Sequence, residues 1–184
     1  MSSFNFGRAS SAEFVTLHHD LQIILTGAIE VFDFSITQGG RTIEEQVRNI
    51  RRGVSKTIDS RHIPRDEGGM YDPNAPCIAA DCAPYQGGVN PWPQDSDTII
   101  VRQKKAHRFY FMQGIFYSIA KREGIKVRQG VDWDMDGDIF DQTFDDLPHI
   151  ELRLVTPPLV LPKDMLRIAN EALMSRGLRE YRNP

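Results

Sequence analysis

Residues 145–155, DDLPHIELRLV, carry the alternating pattern that decides how the rest of the chain is interpreted. Polar and apolar residues alternate from His149 onward, which predicts a half-buried β-strand over residues 149–155. The face expected to meet the core carries Ile150, Leu152 and Leu154, and the opposite face carries His149, Glu151 and Arg153. The strand therefore directs the His149 side chain into a polar site.

The residues just before this strand hold a second polar group, Asp146. In a continuous strand, an offset of three would put Asp146 and His149 on opposite faces. Pro148 lies between them, has no backbone donor and favours a turn. We therefore expect Asp146 to curl back over the site that His149 enters, where its carboxylate can act as a general base.

A second strand is predicted over residues 77–83, CIAADCA, although its alanines weaken the pattern. Asp81 shares a face with Ala79 and Ala83, and these small neighbours leave open space above its carboxylate. Cys77 and Cys82 are five positions apart, so such a strand points them to opposite faces. We therefore expect no disulfide between the two cysteines, and a chain made in a reducing compartment.

The remaining elements alternate between helices and strands. Helical spacing predicts helices over residues 12–29, from a Thr42–Glu45 capping box onward, over 97–122 with Gly124 as C-cap, and over 163–177. Short strands are expected at 31–36 and 125–129, a turn at 37–41, a loop at 63–77 and a break at 156–162. This order favours an α+β fold, a small antiparallel sheet with flanking helices. The last helix is either docked on it or loosely tethered.

The bulk composition describes an ordinary globular chain. Its 184 residues are enough for one domain, or one domain with an appendage, and 40% are apolar and 26% charged. A net charge of −3 with a pI near 5.9 gives no reason to expect nucleic-acid binding. The N-terminus has no apolar secretion signal and no window is long enough for a membrane span, so we expect no membrane association.

Three residues offer a metal-ligand set of the types histidine, aspartate and histidine. They are His62, at the edge of the 63–77 loop, Asp81 and His149. Such a set suits Zn²⁺ with an open fourth position that holds a water of lowered pKa. Spacing alone leaves the alternative open that these histidines are ordinary surface or core residues.

The segments GGRTIEEQ, GVSK, SRH, AADCAP and DDLPHIEL occur in this order between residues 39 and 152. Together they resemble a family of zinc peptidases that includes D-alanyl-D-alanine carboxypeptidases and bacteriophage L-alanyl-D-glutamate endolysins. The resemblance extends over roughly residues 12–155, and DDLPHIEL is most similar to the phage endolysin branch. It implies a zinc site on the sheet.

The resemblance implies a role for each matching residue. It makes His62, Asp81 and His149 the zinc ligands. It makes Asp146 the catalytic acid/base, and Arg41 the group that binds the scissile carbonyl oxygen or a substrate carboxylate. Ser60 matches a serine that either orients the site or caps a turn.

This sequence departs from the family pattern in three places. The segment between His62 and Asp81 is longer than usual and includes RDEGGMYDPNAP, which must form a loop beside the site. That length leaves Asp66 and Asp72 as rival ligands, although neither lies in an A-x-D context. Gly40 replaces a usual aromatic, and RQGVDW replaces a tryptophan-glycine-glycine run. These changes bear on the substrate more than on the chemistry.

The acidic stretch 132–143, DWDMDGDIFDQT, resembles a calcium-binding loop. Asp132, Asp134, Asp136 and Gly137 occupy positions 1, 3, 5 and 6 of that pattern, and Asp138 is a further candidate ligand. Position 12 is Thr143, where a bidentate Glu is usual. The two interpretations are a weak Ca²⁺ site that tethers the chain before Asp146 and a solvated acidic turn.

These observations predict a zinc peptidase that cleaves peptidoglycan stem peptides, at the L-alanyl-D-glutamate bond. Residues 1–155 form its catalytic domain and 156–184 a C-terminal helical extension of the same domain. The alternatives are a D-alanyl-D-alanine carboxypeptidase and a non-catalytic wall-binding or structural protein. We expect a monomer that accumulates in the host cytoplasm and reaches the cell wall after another protein opens the membrane.

Overall fold

A four-stranded antiparallel sheet lies at the centre of the structure, a computed structural model that describes residues 4–184. Its strands are β1 (Phe34–Gln38), β2 (Ala79–Pro84), β3 (Val127–Gln129) and β4 (His149–Leu152), in the spatial order β1-β2-β4-β3. The described helices are α1 (Arg8–Phe14), α2 (His19–Ile29), α3 (Ile43–Arg51), α4 (Ile99–Arg122) and α5 (Lys163–Ser175). The predicted α+β class with a small antiparallel sheet is confirmed.

The register of the two central strands brings two of the expected ligands together. Asp81 on β2 lies directly opposite His149, the first residue of β4. Side chains opposite each other on antiparallel strands have Cβ atoms about 5 Å apart. The strand pairing alone therefore places this carboxylate and this imidazole within reach of one ion.

The predicted single helix over residues 12–29 is wrong, because the chain divides into α1 and α2. Between the two helices the backbone pairs with Cys77: the Cys77 N–H donates to Thr16 O (2.8 Å) and the His18 N–H to Cys77 O (2.7 Å). The His18 side chain then caps α2 by accepting from the Asp20 N–H. Apolar periodicity does not detect such a long-range backbone pairing.

All four predicted strands differ from the structure at their ends. β2 covers residues 79–84 and not 77–83, and β3 covers 127–129 and not 125–129. β1 begins at Phe34 and not at 31, and it includes residues 37 and 38, which were predicted as a turn. β4 ends at Leu152 and not at 155, and Leu154 is 39% exposed, so its expected place in the core is wrong. The prolines at 157 and 158 follow closely, and they lack the donors that a central strand needs.

Two hydrophobic clusters stabilise the fold. The first packs α2 and α4 against the sheet, around Leu21, Phe109 and Phe116. The second lies between α3, α5 and the C-terminal segment, around Ile50, Leu159 and further residues of this region. The last helix is therefore docked.

The two cysteines are both buried and free, which confirms that no disulfide joins them. Among the described helices, none has the length and apolar character to cross a membrane.

Candidate metal centre

Three donor atoms form a nearly equilateral triangle at one end of the two central strands. His62 Nε2 lies 3.3 Å from His149 Nδ1 and 3.2 Å from an oxygen of Asp81. His149 Nδ1 lies 3.1 Å from the same Asp81 oxygen. The structure thus brings together the three residues that the sequence predicts as ligands. His62 precedes the long loop, Asp81 lies on β2 and His149 lies on β4.

The size of this triangle fits a tetrahedral metal ion. Zinc bonds to nitrogen and oxygen of about 2.0–2.2 Å imply ligand atoms roughly 3.3–3.5 Å apart along each tetrahedral edge. The observed separations of 3.1–3.3 Å are close to this edge. Three such donors leave one position free, as in catalytic zinc sites.

The His62 ring is buried and held in the tautomer that a metal needs. Its Nδ1 lies 2.9 Å from Gly39 O, which can only accept, so Nδ1 carries a proton and Nε2 is the nitrogen left to bind a metal. Ser60 Oγ accepts from the His62 backbone N–H at 3.3 Å, which fixes the turn. A Cβ on Gly39 would lie 2.5 Å from Thr16 Oγ1, so this close approach of the backbone needs glycine.

The His149 ring is oriented by a buried carboxylate. Its Nε2 lies 3.1 Å from an oxygen of Glu151, whose other oxygen accepts from Arg128 Nε (2.9 Å) and Nη2 (2.6 Å). Trp133 stacks on the same ring at 5.4 Å, and the Arg128 guanidinium lies over the indole. This arrangement leaves Nδ1 free to bind a metal.

The electrostatics of the metal-free centre favour ionised partners. Burial raises the pKa of Asp81, but the charge of His62 and hydrogen bonds from both histidines outweigh it and hold that pKa well below its usual range. Burial favours neutral His149, yet hydrogen bonds to Asp81 and Glu151 raise its pKa to about 9. A metal cation bound by His149 Nδ1 and Asp81 would replace the proton that these two atoms share in the metal-free centre.

Asp146 lies beside the triangle, half-buried, at the turn before β4. Its N–H donates to Gly130 O (2.8 Å), and its O accepts from the His149 N–H (3.0 Å). Burial and the nearby Asp81 charge raise the pKa of Asp146 above its usual value. A Cβ on Gly130 would lie 2.2 Å from Asp146 O, so glycine allows this approach. The expected turn at Pro148 brings Asp146 back to the site.

The other aspartates considered for this site have hydrogen-bond partners away from it. An Asp145 oxygen lies 3.3 Å from the Tyr110 hydroxyl on α4. The rival ligands Asp66 and Asp72 accept from backbone N–H groups of their own loop, at Gly68, Met70 and Asn74.

Arg41 enters the centre from the turn that follows β1. Its Nη2 lies 3.7 Å from Asp81, and its Nη1 donates to Gln46 Oε1 at 2.7 Å. Gln46 is fully buried and is itself held by Ser55 and Thr57. Arg41 Nε is buried without a hydrogen-bond partner among the described residues, so one N–H of this guanidinium has no acceptor there.

Sequence reasoning missed the residues that hold this centre. Glu151 had a local signal, because it follows His149 by two positions on the same strand face. Gln46 lies among the apolar positions of the buried face of α3, which is a signal for a structural polar group. Arg128, Trp133 and Gly130 have no local signal, since only the folded chain brings them to the histidine and to Asp146.

The acidic loop gathers some of its carboxylates. Asp132, Asp134 and Asp136 offer oxygen atoms within 4.8 Å of one another. Gly137 has a φ of +88°, as the predicted turn requires, and one Asp132 oxygen is buried without a partner in the described chain. Asp138, the further candidate ligand, is not among these three, and its carboxylate accepts from the Phe140 N–H in a local turn.

Comparisons with known proteins identify the family of this chain. The phage L-alanyl-D-glutamate peptidase family model matches residues 1–153. The L-alanyl-D-glutamate peptidase of Escherichia phage T5 is 32% identical over 159 residues, with 82% of this chain and 98% of that protein covered. The crystal structure of the Serratia marcescens L-Ala D-Glu endopeptidase ChiX shares the fold, with a TM-score of 0.57 and 22% identity over 80% of this chain and 90% of that one. The chain belongs to the phage L-alanyl-D-glutamate peptidase family.

Proposed function

We propose that this protein is a zinc-dependent peptidase that cleaves the L-alanyl-D-glutamate bond of peptidoglycan stem peptides. The observation that carries the proposal is the triangle of His62, Asp81 and His149 donors, whose edges fit tetrahedral zinc. Family membership supports the bond and the substrate. Zinc held there would polarise the scissile carbonyl and lower the pKa of a water molecule.

Asp146 moves the proton in this proposal. Its carboxylate takes a proton from the attacking water and delivers it to the amino group of D-glutamate as the peptide bond breaks. The raised pKa of Asp146 suits both steps, because a carboxyl group that holds its proton more tightly is a better base and is still able to donate. Ser60 supports the reaction at a distance by fixing the His62 turn.

Arg41 supplies positive charge beside the reacting bond. Its guanidinium is permanently charged, and the Gln46 contact limits its motion. It binds either the carbonyl oxygen, on which negative charge develops, or a carboxylate of the substrate.

The experiment that tests this function is digestion of purified peptidoglycan by the zinc-loaded protein, with the products identified by mass spectrometry. We expect new amino termini at D-glutamate, loss of activity with a chelator, and recovery with zinc. Release of terminal D-alanine would instead indicate the carboxypeptidase alternative, and binding without cleavage would indicate a wall-binding protein.

We also propose that the acidic loop binds Ca²⁺ weakly, through Asp132, Asp134 and Asp136. The unpartnered Asp132 oxygen and the turn at Gly137 support this site. Thr143 supplies no bidentate carboxylate at position 12, so affinity should be low, on the order of 10⁻⁴–10⁻³ M. The experiment is to add increasing concentrations of calcium and to measure the melting temperature of the protein at each one.

For the molecule as a whole, we propose a monomer with one domain, in which residues 156–184 extend the catalytic domain. It is made in the host cytoplasm and acts on the cell wall after release. Light scattering at working concentration tests the oligomeric state.

A further inference from the structure

A cavity of about 400 Å³ lies beside Arg41, next to the metal centre. Residues 15, 16 and 40–42 line one side, and Pro64, Tyr71 and residues 73–76 line the other. Of its lining residues in the described chain, Arg41 carries the only formal charge. The cavity is therefore a mixed polar and apolar space with a single formal charge, a cation, next to the candidate metal centre.

The outer side of this cavity belongs to the long loop between His62 and β2, and the C-terminal segment holds that loop. The Val160 N–H donates to Gly69 O (2.7 Å), and the Tyr71 N–H donates to Val160 O (3.1 Å). Gly69 has a φ of +87°, and a Cβ there would lie 2.4 Å from Pro158 O. The two segments thus approach so closely that only glycine fits at the junction.

The C-terminal segment is rigidly placed in turn. Tyr71 packs against the second hydrophobic cluster, which contains Leu159 and Leu161. The Asn183 side chain bonds both to Leu161 N (3.0 Å) and to Leu161 O (2.9 Å), which closes the segment on itself. Residues 154–184 lie outside the family match, so this support is an addition to the shared catalytic part.

We propose that residues 64–76 form one wall of the substrate pocket and that residues 156–184 position this wall. The C-terminal segment then sets the affinity for the stem peptide without contacting it. The inference rests on the proposed peptidase function. The occupant is the leaving side of the substrate, because D-glutamate contributes its amino group to the cleaved bond and its carboxyl groups lie on that side. An ionised carboxylate there pairs with the Arg41 guanidinium.

The first test breaks the junction without touching the cavity lining. Gly69→Ala strains a left-handed backbone and collides with Pro158, whereas Gly68→Ala meets only the end of the Asp66 side chain, 3.3 Å away. With a soluble disaccharide-peptide fragment of peptidoglycan, we expect Gly69→Ala to raise KM about fivefold or more. We expect kcat to stay within about twofold and zinc content to be unchanged. Gly68→Ala should leave all three unchanged.

The second test does not depend on the fold tolerating a strained loop. Asn74 is exposed and lines the cavity, so Asn74→Asp adds a negative charge to its wall. We expect KM to rise about two- to fivefold at low salt and to recover at high salt, because salt screens the repulsion of an anionic substrate. Asn90→Asp makes the same change of charge at an exposed site outside the cavity lining and should leave KM unchanged.

The outcomes separate this inference from the proposed function. A protein that does not cleave the fragment overturns the peptidase function itself. Cleavage with a normal KM in both Gly69→Ala and Asn74→Asp overturns only the proposal that residues 64–76 form a wall of the substrate pocket. A lowered melting temperature in Gly69→Ala with unchanged KM likewise reduces the C-terminal segment to a structural role.

Discussion

At the scale of single residues, each histidine of the centre has one nitrogen committed to a protein acceptor and one aimed at the shared point. Gly39 O accepts from His62 Nδ1, and the Glu151 carboxylate accepts from His149 Nε2. Glu151 is buried and needs the Arg128 guanidinium to balance its own charge. The imidazole of His149 is therefore held as part of a chain of charges.

We expect Glu151→Gln to weaken zinc binding by about 10–100-fold, because a neutral amide neither orients His149 as firmly nor raises its basicity. The substitution also leaves Arg128 without its ion pair. Competition with a chromogenic chelator measures the affinity. Glu171→Gln, at an exposed pair on α5, is the matched control. Equal affinities in the two variants would show that Glu151 does not support the metal.

We expect Asp146→Asn to retain zinc and to lose activity by on the order of 10²–10⁴-fold, since an amide preserves the shape but cannot accept a proton from water. Turnover of peptidoglycan fragments and zinc analysis measure the two effects. Asp145→Asn changes the adjacent carboxylate, which contacts Tyr110, and should be nearly silent. If instead Asp145→Asn is the inactive variant, the acid/base assignment moves by one residue.

The sequence could predict the members of this centre, but not the residues that hold them. The order of short matching segments identifies His62, Asp81 and His149 as candidate ligands. The turn expected at Pro148 predicts that Asp146 lies beside them. Arg128 and Trp133 reach His149 through strand pairing and loop closure, which no local pattern encodes. Gly130 is needed only because Asp146 approaches it, so its role appears only in the folded chain.

At the scale of elements, long-range pairing changes what periodicity predicts. Residues 12–29 have the apolar spacing of one helix, yet their backbone bonds to Cys77 divide it in two. The break is also what lets Thr16 Oγ1 accept from the Gly40 N–H at 2.8 Å, beside Arg41. The α3 boundary was predictable, because the Thr42–Glu45 capping box is a local signal and is present as expected.

We expect the acidic loop, residues 132–143, to make stability and activity respond to calcium. It leads directly into Asp146, and Trp133 within it stacks on His149. Millimolar Ca²⁺ should raise both the melting temperature and peptidoglycan cleavage, because the ion relieves repulsion among three carboxylates and orders the loop. Asp134→Asn with Asp136→Asn should abolish both responses while zinc content stays constant.

Asp138→Asn serves as the control for the calcium response, since its carboxylate lies outside the group of three. We expect this variant to respond to calcium as the parent does. Melting temperatures that are indifferent to calcium in the parent protein would identify the loop as a solvated acidic turn.

At the scale of the whole molecule, the candidate metal centre lies where the two hydrophobic clusters meet. Asp81 and His149 belong to strands that pack in the first cluster, whereas His62 precedes Ile63, a member of the second. α5 and the C-terminal segment pack within the second cluster only. A metal bound by all three side chains therefore links the two clusters directly, in addition to the covalent chain.

Removal of zinc should consequently loosen the second cluster more than the first. Zinc at about 1,000 times its Kd stabilises the native state by about 4 kcal/mol, and this contribution is lost with a chelator. We expect amide exchange in α3 and α5 to accelerate strongly in the metal-free protein, while α2 and α4 change less, because their packing on the sheet does not involve His62. His62→Ala with zinc present should reproduce the metal-free pattern. Uniform acceleration across all four helices would mean that the protein opens as one cooperative unit and that the metal stabilises it globally.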